Sequence, residues 1–368
     1  MRVIRAELRA FRNYASVTFE PDAGITVLCG KNAQGKTNLL EAVVLCSVGR
    51  SHRTNHDREL IQWDAPRASV SLETERRDGT HDVKIILNRG GGARAKQVLI
   101  GASPVARIGE LMGHVPSVLF SPEDLSLVKD GPGERRRFMD MTLSQLRPQY
   151  FYALQQYSRA LKQRNGLLRA LSISFASASE AASQLEPWDE ILSRAGASII
   201  MYRVWFLDRL ARDARDAHAH LSGSNETLAA RFICPFGKED NAARALLDAL
   251  RNGRARDLAS RGTGMGPHRD DFELTLNGKQ VKVYGSQGQQ RTAALALKLA
   301  AFSTIRDELD DSPVLLLDDV MSELDAERRR RLLSWTPGVQ KIITCTDESD
   351  LTGAVVGKMC MVDNGAIV

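Results

Sequence analysis

Gly30-Lys-Asn-Ala-Gln-Gly-Lys36-Thr37 matches the phosphate-binding pattern G-x-x-x-x-G-K-[ST] at every fixed position. The apolar, β-branched run Ile25–Cys29 comes directly before it and predicts a buried strand. From Lys36 onward the apolar residues recur at helical spacing. A glycine-rich turn that arose by chance is the alternative, and it is disfavoured because a strand precedes the segment and a helix follows it. The segment therefore predicts a phosphate-binding loop (P-loop) inside an α/β fold.

The chemistry of the P-loop assigns a role to each residue type. Its glycines let backbone N–H groups approach phosphates closely, and the start of the following helix adds its positive dipole end. Lys36 is expected to neutralise the β- and γ-phosphates of ATP, and the Thr37 hydroxyl to bind Mg²⁺. The residues predicted to bind ATP here are Gly30, Lys31, Asn32, Ala33, Gln34, Gly35, Lys36 and Thr37.

A second apolar strand, Val314–Leu317, ends in the pair Asp318-Asp319. Two aspartates after a strand are usually only a solvated strand end. With a P-loop in the same chain, we expect Asp318 to hold Mg²⁺ directly or through water. Asp319 would then orient or deprotonate the attacking water, which makes Asp319 and Lys36 the predicted catalytic residues.

The segment Ser286-Gln-Gly288-Gln289-Gln290 lies just before a long predicted helix. A serine hydroxyl and glycine N–H at a helix start form an anion site. Since one subunit does not need two γ-phosphate sites, this segment is interpreted as closing over ATP bound to a second copy. Ordinary N-capping of the helix by Ser286 is the alternative.

Composition narrows the function classes. The 43% hydrophobic content of the 368 residues is enough for a buried core, and no apolar run approaches the ~20 residues of a membrane span. The five cysteines form no C-x-x-C pair, which is typical of free thiols in a reducing compartment. With no signal-peptide pattern at the N-terminus, we expect a cytoplasmic protein without membrane contact.

Charge is distributed unevenly along the chain. Residues 1–100 carry 16 basic and 11 acidic side chains, whereas residues 261–368 carry 13 and 16. The basic part favours phosphate groups of a nucleotide or nucleic acid, and the acidic part suits a divalent cation. The overall excess of +5 by itself supports DNA binding only weakly.

The remaining patterns predict two lobes. Residues 1–110 and 262–368 form an α/β head (lobe I), and residues 111–261 a mainly helical insertion (lobe II) with a bend near 172–183. In the head, Asn277-Gly278 predicts a hairpin between strands Phe272–Leu276 and Val281–Tyr284. A helix is expected from about Gln289 to Asp310. The insertion is too short for an extended coiled-coil arm.

Taken together, these motifs resemble the ABC-type ATPase head of the SMC-like class, with mixed sheets and flanking helices. Further segments resemble the RecF recombination-repair family; they are Leu8–Tyr14, Gly49–Thr54, Phe120–Leu125, Arg135–Asp140 and Gly266–Asp271.

The resemblance implies ATP with Mg²⁺ as cofactors and an ATP-dependent homodimer that clamps DNA at single-strand gaps or stalled forks. It implies that the clamp helps RecO and RecR load RecA. Ser286, Gly288 and Gln289 match the signature that reaches the partner's ATP, and Ser322–Asp325 matches the loop that crosses the dimer interface.

The sequence departs from the general ABC pattern in three places. Only one glycine remains in the signature Gly285-Ser-Gln-Gly-Gln289, and Asp319 replaces the usual catalytic glutamate. The position of the switch histidine is Thr346 or Asp347. These departures predict slow hydrolysis, with ATP acting as a dimerisation clamp. The family resemblance implies in addition a weak ATPase that DNA stimulates and whose hydrolysis resets the clamp.

Two other functions share the P-loop and signature: the ATPase subunit of a transporter and the head of a structural SMC chromosome protein. A transporter subunit should carry a switch histidine, and an SMC head hundreds of heptad-patterned residues. Two features stay open at this level. His268 is expected in a structural polar network, and Arg135–Arg137 either contacts DNA phosphates or covers an ordinary helix surface.

Overall fold

The computed structural model of the chain describes residues 1–90, 92, 95–174, 177–237, 241–348 and 355–368. Its strands are β1 (Arg2–Phe11), β2 (Tyr14–Phe19), β3 (Ile25–Cys29), β4 (Arg67–Arg76), β5 (Gly79–Asn88), β6 (Lys96–Ile100), β7 (Ser103–Pro104), β8 (Ser117–Phe120), β9 (Leu228–Ile233), β10 (Asp271–Leu276), β11 (Lys279–Gln280), β12 (Val314–Asp318), β13 (Lys341–Cys345), β14 (Lys358–Asp363) and β15 (Ala366–Ile367). Its helices are α1 (Lys36–Val48), α2 (Ser126–Lys129), α3 (Pro132–Leu146), α4 (Pro148–Ser174), α5 (Ala178–Ser222), α6 (Ala242–Ser260), α7 (Val281–Tyr284), α8 (Gln287–Leu309) and α9 (Ala326–Trp335).

A mainly parallel sheet of order β15-β14-β3-β13-β12-β8 forms the centre of the α/β part of the molecule. Its inner strands are apolar on both faces because helices cover both sides. The carboxyl ends of β3 and β12 lie at the same edge of the sheet. The chain that follows β3 and the carboxylates that end β12 are thereby brought together.

A second sheet, antiparallel and of order β2-β1-β4-β5-β6-β7, lies on the other side of α1. Buried and half-buried residues alternate along β4, as expected for a sheet with one face packed and the other partly solvated. Almost every residue of α1 is buried, since one side packs on β4 and β5 and the other on β12 and β13. The helix that follows the P-loop is therefore fixed between two sheets.

The helical part consists of the antiparallel pair α4 and α5, and α6 packs against both. The predicted bend at 172–183 corresponds to the end of α4 at Ser174 and the start of α5 at Ala178; residues 175 and 176 lie outside the described residues. Helix α5 has 45 residues and also packs on α8 and α9 of the α/β part. One helix thus contributes to both parts of the molecule.

A buried ion cluster ties the three long helices together. Arg164 of α4 is fully buried, and its Nε donates to Asp189 of α5 at 2.7 Å. Its Nη1 donates to Asp257 of α6 at 2.6 Å and to the Thr263 hydroxyl at 2.9 Å. Buried charges need such pairing, so the relative positions of the three helices are closely specified.

The prediction of a strand at Val281–Tyr284 is wrong, because these residues form the single helical turn α7. The Asn277-Gly278 turn is present, with φ of 50° and 78°, but only the two residues of β11 pair with β10. The carbonyl of Val281 instead accepts from the N–H of Gly285 at 3.0 Å and from the amide of Gln290 at 3.2 Å. These local bonds satisfy the turn and end the hairpin early.

The boundary predicted at residue 111 needs a correction at one strand. Ser117–Phe120, assigned to the helical insertion, is β8 and pairs in parallel with β12. The insertion also contributes β9, which pairs with β10 of the following segment. Short strands of four to six residues carry too little periodicity to be separated from flanking helices by pattern alone. The division into two lobes otherwise stays a prediction.

Candidate functional site

The P-loop, Gly30–Thr37, connects the end of β3 to the start of α1 as the sequence predicts. Gly35 has φ of 117°, a conformation that only glycine adopts readily. A Cβ atom at Gly35 would also lie 2.7 Å from the side-chain nitrogen of Asn13. That asparagine donates to the carbonyl of Gln34 at 2.8 Å, so the turn between β1 and β2 holds the loop in place.

Lys36 lies along the inside of this loop. Its side chain is only 7% exposed. The ammonium donates to the carbonyl of Lys31 at 2.9 Å and also to the carbonyl of Gly30. The positive charge is therefore held at the centre of the loop, where the sequence predicts the β- and γ-phosphates.

Asp318 ends β12 beside the first turn of α1. Its Oδ1 accepts hydrogen bonds from the hydroxyls of Thr37 at 2.9 Å and Thr344 at 2.7 Å. Burial raises the pKa of Asp318, while these two hydrogen bonds act in the opposite direction. Hydroxyl and carboxylate oxygens are the ligands that Mg²⁺ prefers, so Thr37 and Asp318 fit this ion.

Asp319 follows with its backbone in the left-handed region, at φ of 53°. Its N–H donates to the Thr344 hydroxyl at 2.9 Å, and its carbonyl accepts from Ser322 at 2.9 Å. Its carboxylate oxygen Oδ1 is buried and has no hydrogen-bond partner among the described residues. An unpaired buried acceptor is unfavourable, so this oxygen is available to a group bound in the cleft.

These residues line one cleft of about 770 Å³, which we name the nucleotide cleft. Its lining residues are Arg12, Asn13, Asn32, Ala33, Gln34, Gly35, Lys36, Thr37, Asn38, Arg53, Glu59, Ile61, Gln62, Trp63, Asp318, Asp319 and Thr344. Of the predicted ATP, metal and catalytic residues, Asn32–Thr37, Asp318 and Asp319 meet here. Gly30 and Lys31 contribute through the carbonyls that accept from Lys36.

The sequence did not single out the two arginines of the cleft wall. Arg12 forms a bidentate pair with Glu41 of α1, at 2.8 and 2.7 Å, and Arg53 donates to Asn38 at 2.9 Å. Burial opposes ionisation of Glu41, but hydrogen bonds from Arg12 and Ser51 outweigh it and lower its pKa. The detectable signal was the carboxylate of Glu41 on an otherwise apolar helix, together with both arginines in the family-like segments.

Ser286, Gly288 and Gln289 lie away from the cleft, which none of them lines. Ser286 caps α8, since its hydroxyl accepts from the N–H of Gln289 at 3.3 Å. The side chain of Gln289 accepts from the N–H of Ser286 at 2.8 Å and donates to Glu226 at 2.6 Å. The N-capping interpretation is thus observed. Ser286 is nevertheless exposed, so a group from outside the chain can reach it.

The structural interpretation of His268 is confirmed. Its Nδ1 lies 2.6 Å from the Tyr157 hydroxyl and its Nε2 lies 3.0 Å from the Thr263 carbonyl. Burial lowers the pKa of this imidazole, which favours the neutral form.

Arg135–Arg137 also has internal partners, and neither sequence interpretation describes it well. Arg135 is buried and forms a bidentate pair with Asp271 at 2.6 and 2.9 Å. Arg136 donates to the carbonyl of Asp270 at 2.8 Å, and Arg137 to that of His52 at 2.5 Å. These arginines hold α3 in place, so the structure does not support them as a DNA contact.

Comparisons with known proteins identify the family of the chain. Residues 2–366 match the family model described as RecF/RecN/SMC N terminal domain. The DNA replication and repair protein RecF of Acetivibrio thermocellus is 42% identical over 353 residues, which are 95% of this chain and 94% of the relative. The protein of the same name from Clostridium perfringens strain SM101 is 38% identical over 371 residues, covering 100% of this chain and 99% of the relative.

Solved structures show the same similarity. The recombination mediator protein RecF-ATPrS of the RecFOR pathway has a TM-score of 0.90 and 33% identity, covering 100% of this chain and 97% of its own. The Smc head domain of Pyrococcus furiosus, with an extended coiled coil, has a TM-score of 0.55 at 16% identity, covering 99% and 94%. The second comparison shows a shared fold alone. No helix in the described part of the chain is long and apolar enough to cross a membrane.

Proposed function

This chain belongs to the RecF family of DNA replication and repair proteins, and on that premise we propose that it is an ATP-dependent DNA-binding protein of replication and recombinational repair. The observation that carries the proposal is the nucleotide cleft, in which Lys36, Thr37, Asp318 and Asp319 meet. The P-loop glycines and the start of α1 bind the phosphates of ATP through backbone N–H groups. Lys36 neutralises their charge.

The Thr37 hydroxyl and the Asp318 carboxylate would hold Mg²⁺. When bound, the ion neutralises charge on the β- and γ-phosphate oxygens. The described residues contain no group of three or more His, Cys, Asp or Glu side chains able to hold a metal ion. Mg²⁺ usually keeps several waters and binds through one or two carboxylates together with substrate phosphates, so two protein oxygens would suffice to hold it.

Asp319 orients the attacking water through its unpartnered carboxylate oxygen. Its side chain is one methylene shorter than the glutamate of the general ABC pattern, and Thr346 or Asp347 replaces the switch histidine. Both differences weaken proton abstraction from water. Hydrolysis is slow and DNA-stimulated, and ATP serves mainly to hold a conformation.

That conformation is a homodimer in which each subunit closes the other's cleft. Ser286, Gly288 and Gln289 reach the ATP of the partner, and Ser322–Asp325 lies across the interface. Support comes from the exposure of Ser286, from its position at a helix start, and from its absence among the residues lining its own cleft.

The dimer clamps DNA through phosphate contacts, at single-strand gaps or stalled forks in the cytoplasm. The names of the relatives and the excess of basic residues in the first hundred positions support this step. RecO and RecR, which share the pathway named for the RecF structures, are the proposed partners for loading RecA.

Light scattering tests the proposal, with the protein in ATP, ADP or no nucleotide, each with and without DNA. Of the three nucleotide conditions, we expect only ATP to produce a dimer. The logarithm of the DNA-binding constant should fall linearly with the logarithm of the salt concentration, with a slope of about −0.9 per phosphate contact. A monomer in all conditions, or DNA binding that is insensitive to salt, would contradict the clamp.

The structural SMC head remains the alternative. It is disfavoured because the longest described helices, α4 and α5, have only 27 and 45 residues and pack compactly. The transporter subunit is disfavoured by the absence of a histidine at Thr346 or Asp347. Stable association with a purified membrane transporter domain would favour the transporter subunit.

A further inference from the structure

A groove of about 740 Å³, separate from the nucleotide cleft, runs between the α/β part and the helical part of the molecule. One wall is the turn that carries Arg107 and Ile108, and the opposite wall is the stretch of α4 from Tyr152 to Gln163. Trp188 and Ile191 of α5 complete the lining, and we name this feature the α4 groove. It shares no lining residue with the nucleotide cleft, so the ATP site leaves it without a role.

Close packing fixes the width of the α4 groove. A Cβ atom at Gly109 would lie 2.6 Å from Cζ of the Tyr152 ring, so only glycine lets the turn approach α4 this closely. A Cβ atom at Gly49, which ends α1, would lie 2.8 Å from Cδ1 of Ile108. The turn is therefore seated against α4 on one side and α1 on the other. A groove with both walls already in place costs little ordering entropy when a ligand binds.

Helix α4 carries positive charge that nothing on the helix offsets. Its 27 residues include no acidic residue and four basic ones, which are Arg159, Lys162, Arg164 and Arg169. Arg164 is buried in the ion cluster described above, whereas the other three are exposed and have no carboxylate partner among the described residues. Helix α5 differs, because it has seven acidic residues and its Arg194 pairs with Glu190 at 3.2 Å. The exposed face of α4 is therefore uniformly basic instead of carrying the mixed charge of an ordinary solvated helix.

This basic face coincides with the groove. Tyr152, Gln156, Arg159 and Gln163 follow one another at spacings of three or four residues, which places them on one side of α4. Arg107 adds a second guanidinium from the opposite wall, and none of the described residues that line the groove is acidic. From Tyr152 the face continues to Arg169, a length of about 25 Å at 1.5 Å per residue. Such a surface is complementary to an extended polyanion.

The uncharged lining residues indicate which polyanion fits. Tyr152 and Trp188 are half-buried aromatic side chains between the cations, and the neighbouring glutamines offer amide donors and acceptors. Bases of an unpaired strand stack on such rings while cations follow the phosphates. In a duplex the bases already stack on one another, so the rings would gain no partner. The lining therefore favours a single strand over a duplex.

We propose that the α4 groove binds single-stranded DNA. Arg107 and Arg159 contact phosphates, Tyr152 stacks on a base, and Lys162 and Arg169 extend the phosphate track along α4. The proposal rests on the proposed function and deepens it, because it assigns the single-stranded side of a DNA gap to a surface outside the nucleotide cleft and beyond the basic first hundred residues. Stacking and phosphate contacts are indifferent to base identity, so binding is independent of sequence.

Fluorescence anisotropy tests the phosphate contacts, with the full chain in ATP and Mg²⁺ and with a labelled oligothymidylate or a duplex of equal length. The double variant Arg107→Gln with Arg159→Gln should bind the single strand about tenfold or more weakly and the duplex like the parent. Its log–log salt slope for the single strand should be shallower by about 1.4, which is about 0.7 for each lost contact. Arg159→Lys keeps the charge and should match the parent. Arg244→Gln, which removes an arginine of α6 that is 81% exposed, is the matched control.

A second pair of variants tests the stacking. Tyr152→Leu should weaken single-strand binding by about tenfold without changing the salt slope, because a ring is lost but no charge. Tyr152→Phe keeps the ring and should bind like the parent. The ATP affinity of every variant should be parental, since none of the substituted residues lines the nucleotide cleft.

Three results would overturn the single-strand groove while leaving the proposed function standing. They are parental single-strand affinity of the double variant, an equal loss of its single-strand and duplex affinities, and a parent that binds the duplex but not the single strand. A parent that binds neither form of DNA would instead overturn the proposed function and the groove with it.

Discussion

Thr37 and Asp318 are 281 residues apart in the chain, yet the hydroxyl of Thr37 donates a 2.9 Å hydrogen bond to Oδ1 of Asp318. The contact exists because β3 and β12 flank β13 in one parallel sheet and end at the same edge. The first and last thirds of the chain must therefore fold together before the predicted metal site exists.

Replacing Lys36 with methionine should abolish ATP binding without unfolding the protein. Methionine keeps the straight apolar stem but removes the charge that neutralises the β- and γ-phosphates. Calorimetry with ATP measures the loss, and circular dichroism checks the fold. Lys162→Met, on the exposed face of α4, is the matched control and should bind like the parent. Near-normal ATP affinity of Lys36→Met would refute the nucleotide site.

Replacing Asp318 with asparagine should stabilise the protein at neutral pH in the absence of nucleotide and divalent ions. Burial raises the pKa of Asp318 above its ordinary value of 3.8, so ionisation opposes folding as the pH rises above that value. The asparagine amide stays neutral at every pH, so the variant does not lose stability through ionisation at this position. The thermal midpoint of Asp318→Asn, measured with EDTA, should exceed that of the parent at pH 7.

The gain should shrink as the pH falls towards 4, because the parental carboxyl then becomes protonated. Asp363→Asn, at an exposed carboxylate, should show no such trend. A stabilisation of Asp318→Asn that is constant across this range would contradict the assigned cause. Mg²⁺-dependent ATP hydrolysis should be lost in Asp318→Asn whatever its stability.

Replacing Asp319 with asparagine should separate binding from turnover. Thr37 and Asp318 are untouched, so ATP still binds with its ion, but the group that orients water is lost. Hydrolysis should slow by about 10²-fold or more, and the ATP-bound dimer should persist. Phosphate release and size-exclusion chromatography measure the two effects. A variant that hydrolyses ATP at the parental rate would exclude this role for Asp319.

Replacing Ser286 with arginine should abolish ATP-induced dimerisation but leave ATP binding by the monomer almost unchanged. A bulky cation would replace a small donor inside the proposed interface. Ser286→Ala is the control, since it removes the helix cap at a cost of about 1 kcal/mol and adds no bulk. Sedimentation with ATP compares the variants. Parental dimerisation of Ser286→Arg would leave only the capping role.

A mixture of Ser286→Arg and Lys36→Met sharpens this test. Each heterodimer would contain at most one competent site, formed by the intact P-loop of one chain and the intact signature of the other. Sedimentation of the mixture with ATP should therefore show partial recovery of dimer that neither variant forms alone.

Replacing Arg164 with alanine should lower the free energy of unfolding by about 3–5 kcal/mol, because buried carboxylates lose their partner. Asp257 loses an ion pair at 2.6 Å, and Asp189 keeps only Arg254. Urea unfolding measures the change. Arg194→Ala removes an arginine that is 78% exposed and should change stability by under about 0.5 kcal/mol. Equal effects of the two variants would be contrary to this account.

Sequence reasoning recovered the parts of the site that depend on local pattern. The P-loop follows a strand and opens a helix, and Asp318 ends a strand, so each could be placed from its neighbours in the chain. The fold class followed from the same patterns. Val281–Tyr284 was misplaced because side-chain bonds from Gln290, nine residues on, satisfy its carbonyls.

Other features depend on contacts that no local pattern carries. Arg12 and Glu41 meet across two elements, and nothing in either segment alone specifies the pair. The turn that carries Trp63 is held by Arg89, which follows β5 and donates to the carbonyl of Gln62. The sequence places Arg135 equally well on a helix surface, but in the structure it pairs with Asp271, which is 136 residues away in the chain. Tertiary pairing of this kind decides whether a charged residue faces solvent or the interior.

Helix α5 is so long that a small rotation at one end would move its other end by several ångströms. Beyond Pro187, where the helix lacks one backbone hydrogen bond, it runs to Ser222, which at 1.5 Å per residue is about 50 Å. Its later part packs on α8 and α9, next to the segments that begin with Ser286 and Asp325, and its earlier part packs on α4 and α6. Arg209 of α5 pairs with Asp307 and Glu308 of α8, about 33 Å beyond Pro187, so a tilt of about 5° at that contact would displace the Pro187 end by about 3 Å. A small change in the angle between α5 and α8 would thus be felt as a larger shift of the distant helices α4 and α6.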